Sequence, residues 1–358
     1  MFPSASPLFA QYAPQPLDDV AVPPFPAQEA DADGPTEDSS RDFDFELDRH
    51  DWHAIAPAEA PPDAPVRFID GSIATRTIGL LNVDGRRRPL IAATISAASL
   101  QIEGRTTRRT GLLTSKVLCL NSNGIDPSVL AEAYTALDEI GVQLRSSETE
   151  DPSDFDSMRR SSHAIAMTAM EEAERDVMLM DVEMPTLVDG LLERRLRGTR
   201  HDVPVVGLVK RQLATYLPMD LQELAYSLRP GERTPAFMLR TVQHVDIVNC
   251  YVRLSDLKGA SPSYGIVRMT VSLDYLLRHH PRFAAGPESM SAYLSGLAGY
   301  IYRLRHRDLA YERAGISIEP IVRVEEHLHA VRPRLDTLVY KLHAFLRPAA
   351  AEVTYGRI

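Results

Sequence analysis

With 358 residues, 44% of them hydrophobic, the chain is long enough to bury a large core in one big domain or two of ordinary size. Its formal net charge is −10, yet the first 64 residues carry 14 Asp and Glu against only Arg41 and Arg49, so the remainder is slightly basic and a nucleic-acid partner is not excluded. The two cysteines, Cys119 and Cys250, each sit inside an apolar run, which excludes a disulfide framework or a cysteine zinc site and points to a reducing compartment. No apolar run reaches the length of a membrane span and the first residues lack the pattern of a signal peptide, so a soluble cytoplasmic protein is expected.

Residues 1–64 read as a disordered, acidic, Pro-rich tail. Twelve of the 26 prolines fall in the first 65 residues, and this composition offers too little apolar surface to repay ordering. The stretch from Phe43-Asp44-Phe45-Glu46-Leu47 to Trp52 differs, with aromatics among acids. It reads equally as an incidental feature of the tail or as a short segment that docks on the body or on a partner. Residues 65–350 read as the folded domain, with no internal repeat.

From Val66 the texture is strand-like. Val66 to Asp70, Arg76 to Val83 and Pro89 to Leu100, with a turn at Asp84-Gly85, predict an antiparallel meander. Ser115 to Leu120 reads as another strand, followed by a helix from about Asp126, with Asp126-Pro127-Ser128 as cap and first turn. Apolar residues returning to one face predict a long helix over about Phe155 to Met180. A strand ending at Asp189, a short basic helix Leu191 to Arg197 and a strand Val203 to Lys210 follow. Pro235 to Leu239, Val245 to Leu254 and Tyr264 to Leu273 complete the strands, the last two as a hairpin. Two helices, about Pro287 to Leu304 and Ile321 to Leu346, close the chain. The order implies an α/β domain with a mixed sheet flanked by helices.

Several side chains stand where such a fold places chemistry. Asp70-Gly71 and Asp189-Gly190 each end an apolar run, which puts two carboxylates at strand ends with a Gly that permits close approach; Asp-Gly is also a common turn dipeptide. Glu171 and Glu172 lie on the long helix, Glu171 beside its apolar edge. Lys210, directly after a buried strand, lands at the sheet's rim, as a surface lysine or as a contact for a phosphate beside a metal. Arg86, Arg87, Arg88, Arg105, Arg108 and Arg109 are candidates for nucleic-acid backbone contacts or for solvated faces. Asp181 and Glu183 offer a weaker alternative, a metal phosphohydrolase of the acyl-phosphate type, although they precede their strand.

Five pieces recur in one order: Asp70-Gly71-Ser72, Glu171 within Met167 to Glu171, Asp189-Gly190-Leu191, Gly207-Leu208-Val209-Lys210, and Pro320 followed by Glu325 and His327. In that order the chain resembles the NurA family of DNA-end-processing nucleases over roughly Val66 to Leu346. Glu319 stands where that family often has an aromatic residue, and the tail has no counterpart. The resemblance implies an RNase H-like fold, related to the nuclease domain of Argonaute proteins. It also implies a manganese- or magnesium-dependent deoxyribonuclease, a 5′–3′ exonuclease and/or single-strand endonuclease. A homodimer docked on a HerA-type hexameric ATPase, acting in DNA repair or defence, is implied in the same way. Carried over residue by residue, it makes Asp70, Glu171 or Glu172, Asp189 and His327 metal ligands, with His327 alternatively a proton shuttle, and makes Lys210 the contact to the scissile phosphate. Oxygen ligands with one imidazole suit Mn²⁺ or Mg²⁺. A non-catalytic subunit of the same fold, binding DNA or a motor protein, is the alternative; the complete set of acids speaks for catalysis.

Overall fold

The computed structural model describes residue 12 and residues 15–16, 40–104, 106–148, 155–210, 216–240, 245–256, 260–280, 283, 287–307 and 314–346. Strands and helices follow in chain order as β1 (Gln15–Pro16), β2 (Ser40–Asp42), β3 (Arg67–Val83), β4 (Arg86–Glu103), β5 (Thr106–Asn121), α1 (Pro127–Glu139), β6 (Gln143–Ser147), α2 (Phe155–Leu179), β7 (Thr186–Asp189), α3 (Leu192–Arg195), β8 (Val205–Val209) and α4 (Met219–Ser227). Then come β9 (Phe237–Arg240), β10 (Asp246–Arg253), β11 (Ile266–Ser272), α5 (Leu273–His279), α6 (Pro287–Arg303), α7 (Glu319–Val331) and α8 (Leu335–Leu346). Among the described residues no helix is long and apolar enough to cross a membrane.

All the strands join one mixed sheet in the order β2-β9-β10-β11-β8-β7-β3-β4-β5-β6, with β1 added on the edge of β3. The expected meander is there as β3-β4-β5, and the expected hairpin as β10-β11, each antiparallel. Two runs expected as separate strands, around Asp70 and from Arg76, form the single 17-residue β3, because the intervening Ser72 to Thr75 keep their pairing to β4. Parallel pairs join β3 to β7, β7 to β8 and β5 to β6.

Strand β4 shows why the sheet is covered on both sides. Its residues Leu90 to Leu100 are all buried, and alternate side chains serve opposite layers. Ile91, Ala93 and Ile95 pack beneath α2 residues Ala166 and Ala169, while Leu90 and Ala92 join α1 and α8, and Ala98 and Leu100 join α6 and α7. The small side chains of this run let helices approach closely. Helix α1 starts as the sequence dictates, with Asp126 Oδ1 accepting from Ser128 N at 2.8 Å and Pro127 in the first turn. The last expected helix is two: Pro333 has no amide hydrogen to continue α7 and restricts Arg332 to extended backbone, so the chain turns before α8.

Residues 40–64, placed in the tail by composition, lie on the body; the tail below residue 40 is otherwise outside the described residues, apart from Tyr12, Gln15 and Pro16. Strand β2 pairs with β9, and Phe43 packs against Phe237 at 5.5 Å between ring centroids. Glu46 meets the Arg233 guanidinium with both oxygens, at 2.8 and 2.6 Å, and both side chains are fully buried. Farther along, Asp63 Oδ2 accepts from the hydroxyls of Tyr275 at 2.6 Å and Tyr293 at 3.1 Å, and lies 2.9 Å from His280 Nε2. A charged carboxylate thus offsets the weak apolar content of this segment. Burial alone would raise the Glu46 pKa, but Arg233 and the hydrogen bonds around it hold it below the ordinary 4.5.

Because the folded value is the lower one, Glu46 contributes its full stability above about pH 4.5 and loses it as pH falls through the folded pKa. Arg233→Met, which strands a buried carboxylate, should cost about 3–5 kcal/mol in urea unfolding at pH 7. The double replacement Glu46→Leu with Arg233→Met should cost less and flatten the acid limb of the stability curve; equal losses in single and double variants would refute the pairing.

Candidate metal centre

Asp70 lies inside β3 rather than at its end, and it is buried; the neighbouring strand stops pairing just before it. Strand β7 runs beside β3 only at Arg67, Phe68 and Ile69 and ends at Asp189, so the sheet loses its next strand beside Asp70. Asp189 pairs in register with Leu208 of β8, and Lys210 follows the last residue of that strand. Helix α7 crosses over β3 and β4 and brings Glu325 down from above. The carboxylates of Asp70, Asp189 and Glu325 offer ligand oxygens all within 4.8 Å of one another, a group that could hold a metal ion. Lys210 Nζ stands 2.7 Å from Asp189 Oδ2 and 3.7 Å from Glu325 Oε1.

The charge balance of this group is uneven. Three carboxyls face one ammonium, and the site is largely out of water. Burial, then the neighbouring Asp189 charge, pushes the Asp70 carboxyl well above its ordinary 3.8, against the pull of Lys210. Burial alone would depress Lys210, but Asp189, Asp70 and Glu325 together raise it. Burial and its acidic neighbours therefore favour the protonated form of Asp70, and a bound cation would oppose them. The donor set is all oxygen, with no thiolate or imidazole in the group, which fits a hard divalent ion such as Mg²⁺, Mn²⁺ or Ca²⁺ rather than zinc.

The two Asp-Gly steps use their glycines differently. Gly190 has φ +101°, a conformation side chains resist, and it turns the chain from β7 into α3. Gly71 stays in the extended strand and serves by lacking bulk: a Cβ there would collide with the Glu174 carboxylate. Successive residues of a strand face opposite ways, so Glu174 reaches the sheet from the α2 side, behind Asp70. Arg195 of α3 pairs with Glu174 and donates from Nη2 to the Asp189 carbonyl at 3.2 Å. Burial pushes the Glu174 carboxyl up to about 7 against the opposing pull of Arg195. Glu174 lies behind the cluster, one helical turn after Glu171; the sequence pattern missed it because nothing in a run of helix glutamates marks the one opposite a strand glycine.

Of the residues expected at the site, Asp70, Asp189 and Lys210 come together, joined by Glu325, which the sequence singled out only as part of a motif. Glu171 lies outside the group and pairs with Arg194, and Glu172 pairs with Arg145 at 3.0 Å. His327 is also outside: two residues beyond Glu325 on a helix is roughly 200° around the axis, so the two side chains diverge. Its Nε2 is buried with no hydrogen-bond partner among the described residues. Arg88, a candidate for backbone contacts, is buried and donates from Nη1 to the Asn121 carbonyl at 3.2 Å, so it is structural. Arg86, Arg87, Arg108 and Arg109 are exposed, and Arg105 lies outside the described residues.

No family model and no curated protein matches this chain. Among solved structures, the crystal structure of the NurA nuclease from Sulfolobus solfataricus is similar over 78% of this chain and 88% of that chain, at 12% identity and a TM-score of 0.36. A likeness that distant carries neither fold nor function across, and the site's own geometry bears the weight.

Two outcomes test that geometry. A carboxyl whose folded pKa is raised costs stability progressively as pH climbs above its unfolded value, 3.8 for Asp70, until the folded value is passed. Asp70→Asn should therefore raise the melting temperature in EDTA at pH 8 and have less effect near pH 4; a fall at pH 8 would contradict the assignment. Gly71→Ala, which forces the Glu174 carboxylate off the strand, should cost about 1–3 kcal/mol in chemical unfolding.

Proposed function

We propose that this protein is a metal-dependent deoxyribonuclease with an RNase H-like nuclease domain. The observation that carries the reading is the meeting of Asp70, Asp189 and Glu325 around Lys210 at the place where β7 stops. The ordered sequence motifs shared with NurA-type nucleases lead to Asp70, Asp189 and Lys210 independently of that geometry. Three long antiparallel strands continued by two parallel ones, with an acid on the first and on the fourth, support the fold assignment.

Asp70, Asp189 and Glu325 would hold the divalent ion, Mn²⁺ or Mg²⁺. When bound, such an ion makes a water nucleophilic at neutral pH and offsets charge on the phosphate and the leaving oxygen. The chain's own groups do the rest. Because the surroundings favour a proton on Asp70, a cation there competes with that proton and its affinity rises with pH. Lys210, held charged by its three neighbours, is placed to pair with a phosphate oxygen and with the charge that builds up there during cleavage. Arg195 and Glu174, behind the sheet, hold the Asp189 turn in place. Glu171 and His327 have no place among the ligands in this reading. The exposed arginines of the β3–β4 and β4–β5 hairpins are offered to the nucleic-acid backbone. DNA-end resection as a homodimer with a HerA-type hexameric ATPase, in the cytoplasm, extends the same resemblance.

End-labelled single- and double-stranded DNA incubated with the purified protein should be cleaved with Mn²⁺ and spared with EDTA. Asp70→Asn and Asp189→Asn should each lower cleavage at least ~100-fold while remaining folded, and Lys210→Met should lower the rate with little loss of DNA affinity. Undiminished cleavage in either Asp variant would refute the site; no cleavage by the wild type, with a translocase and ATP added, would refute the nuclease.

A further inference from the structure

Arg268 of β11 is buried, yet it is provided for less fully than the buried Arg67, Arg195, Arg233 and Arg253. Arg67 donates to Thr186 Oγ1 and to the carbonyls of Met178 and Asp181; Arg233 and Arg195 each pair with a glutamate; Arg253 donates to the carbonyls of Tyr264, Tyr226 and Pro262. Among the described residues Arg268 makes one hydrogen bond, from Nη1 to Asn249 Oδ1 at 3.2 Å, and its guanidinium lies 4.1 Å from the centroid of the Tyr216 ring. Among the described residues no carboxylate pairs with it. A second cation lies nearby: the Arg41 guanidinium is 5.6 Å from the same Tyr216 ring. An uncompensated charge out of water is costly, and proteins that keep one normally meet it with an anion.

The surroundings suit an oxyanion. Arg268 stands opposite Tyr251 in β10 and Val209 in β8, and Thr270 stands opposite Asn249 and Gly207, so these side chains share one face of the sheet. That face is opposite the one formed by Met269 and Leu208, which join the main core, and hence opposite the face of Asp189. Thr270 is fully buried and its Oγ1 has no hydrogen-bond partner among the described residues. A guanidinium fork over an aromatic ring, on the same sheet face as a hydroxyl without a partner among the described residues, matches the oxygens of a phosphate group.

We infer that Arg268, with Thr270, forms an oxyanion site separate from the acid cluster, and that it takes a phosphate group, free or as the monoester of a nucleotide. The inference stands whether or not the acid cluster cleaves DNA. It also makes a prediction of unusual sign: without the anion, the buried charge is a burden.

The test is thermal unfolding and calorimetric titration of the full chain in EDTA, so that a metal-bridged phosphate at the acid cluster cannot contribute. Probes are inorganic phosphate and thymidine 5′-monophosphate against chloride at matched ionic strength. The wild type should gain about 2 °C or more at ~10 mM phosphate. Arg268→Met should be at least as stable as the wild type in chloride and gain nothing from phosphate. Tighter binding of the nucleotide would identify a monoester as the source, and equal binding free phosphate; both support the site. No phosphate effect on the wild type, or an equal effect on Arg268→Met, overturns it. Should Arg268→Met fail to fold, Thr270→Val decides: phosphate affinity weakened threefold or more supports the site, and unchanged affinity overturns it.

Discussion

Three carboxylates held within 4.8 Å repel one another, and a fold that keeps them there must neutralise them. In this protein the neutralisation is partial. Lys210 supplies one positive charge against three carboxyls, and burial with the Asp189 charge favours a proton on Asp70, for which a cation would compete. Much of the surrounding architecture serves this arrangement. Strand β7 stops pairing with β3 just before Asp70, β8 ends one residue before the lysine, and α7 lies across β3 and β4 to complete the group with Glu325.

Behind the sheet, α2 and α3 are tied by two ion pairs, Glu171 with Arg194 and Glu174 with Arg195. The inner pair reaches the site's backbone through the Asp189 carbonyl and occupies the space that Gly71 leaves. The Asp189 backbone is thus held by a pair that never enters the site. The segment around Glu46 and Asp63 works by the same physics elsewhere, where a stretch poor in apolar groups is bound to the body by one buried and one half-buried carboxylate with dedicated donors.

The elements were largely legible in the sequence where periodicity is strong: the meander, the β10–β11 hairpin, α1 with its Asp126 cap, and the long α2. Short or polar elements were not. Strand β6, Gln-Leu-Arg-Ser-Ser, carries no alternation of its own and exists because β5 offers it a parallel edge. In the site, Asp70, Asp189 and Lys210 were legible because each adjoins an apolar strand. Glu325 and Glu174 were harder, since a helix glutamate next to solvent and one next to a sheet rim look alike until the helix is docked.

The sequence alone determined the residues available for chemistry, a slightly basic body beneath an acidic first segment, and acids adjoining apolar strand runs, because these follow from composition and from apolar runs that must be buried. The tertiary structure decided which carboxylates meet. Proximity in the site is set by the length of β7 relative to β3 and by the crossing of α7, both of which arise from long-range pairing and packing. It also decided that residues 40–64 belong to the body, because a carboxylate such as Glu46 becomes an anchor only when Arg233, 187 residues away, is folded around it.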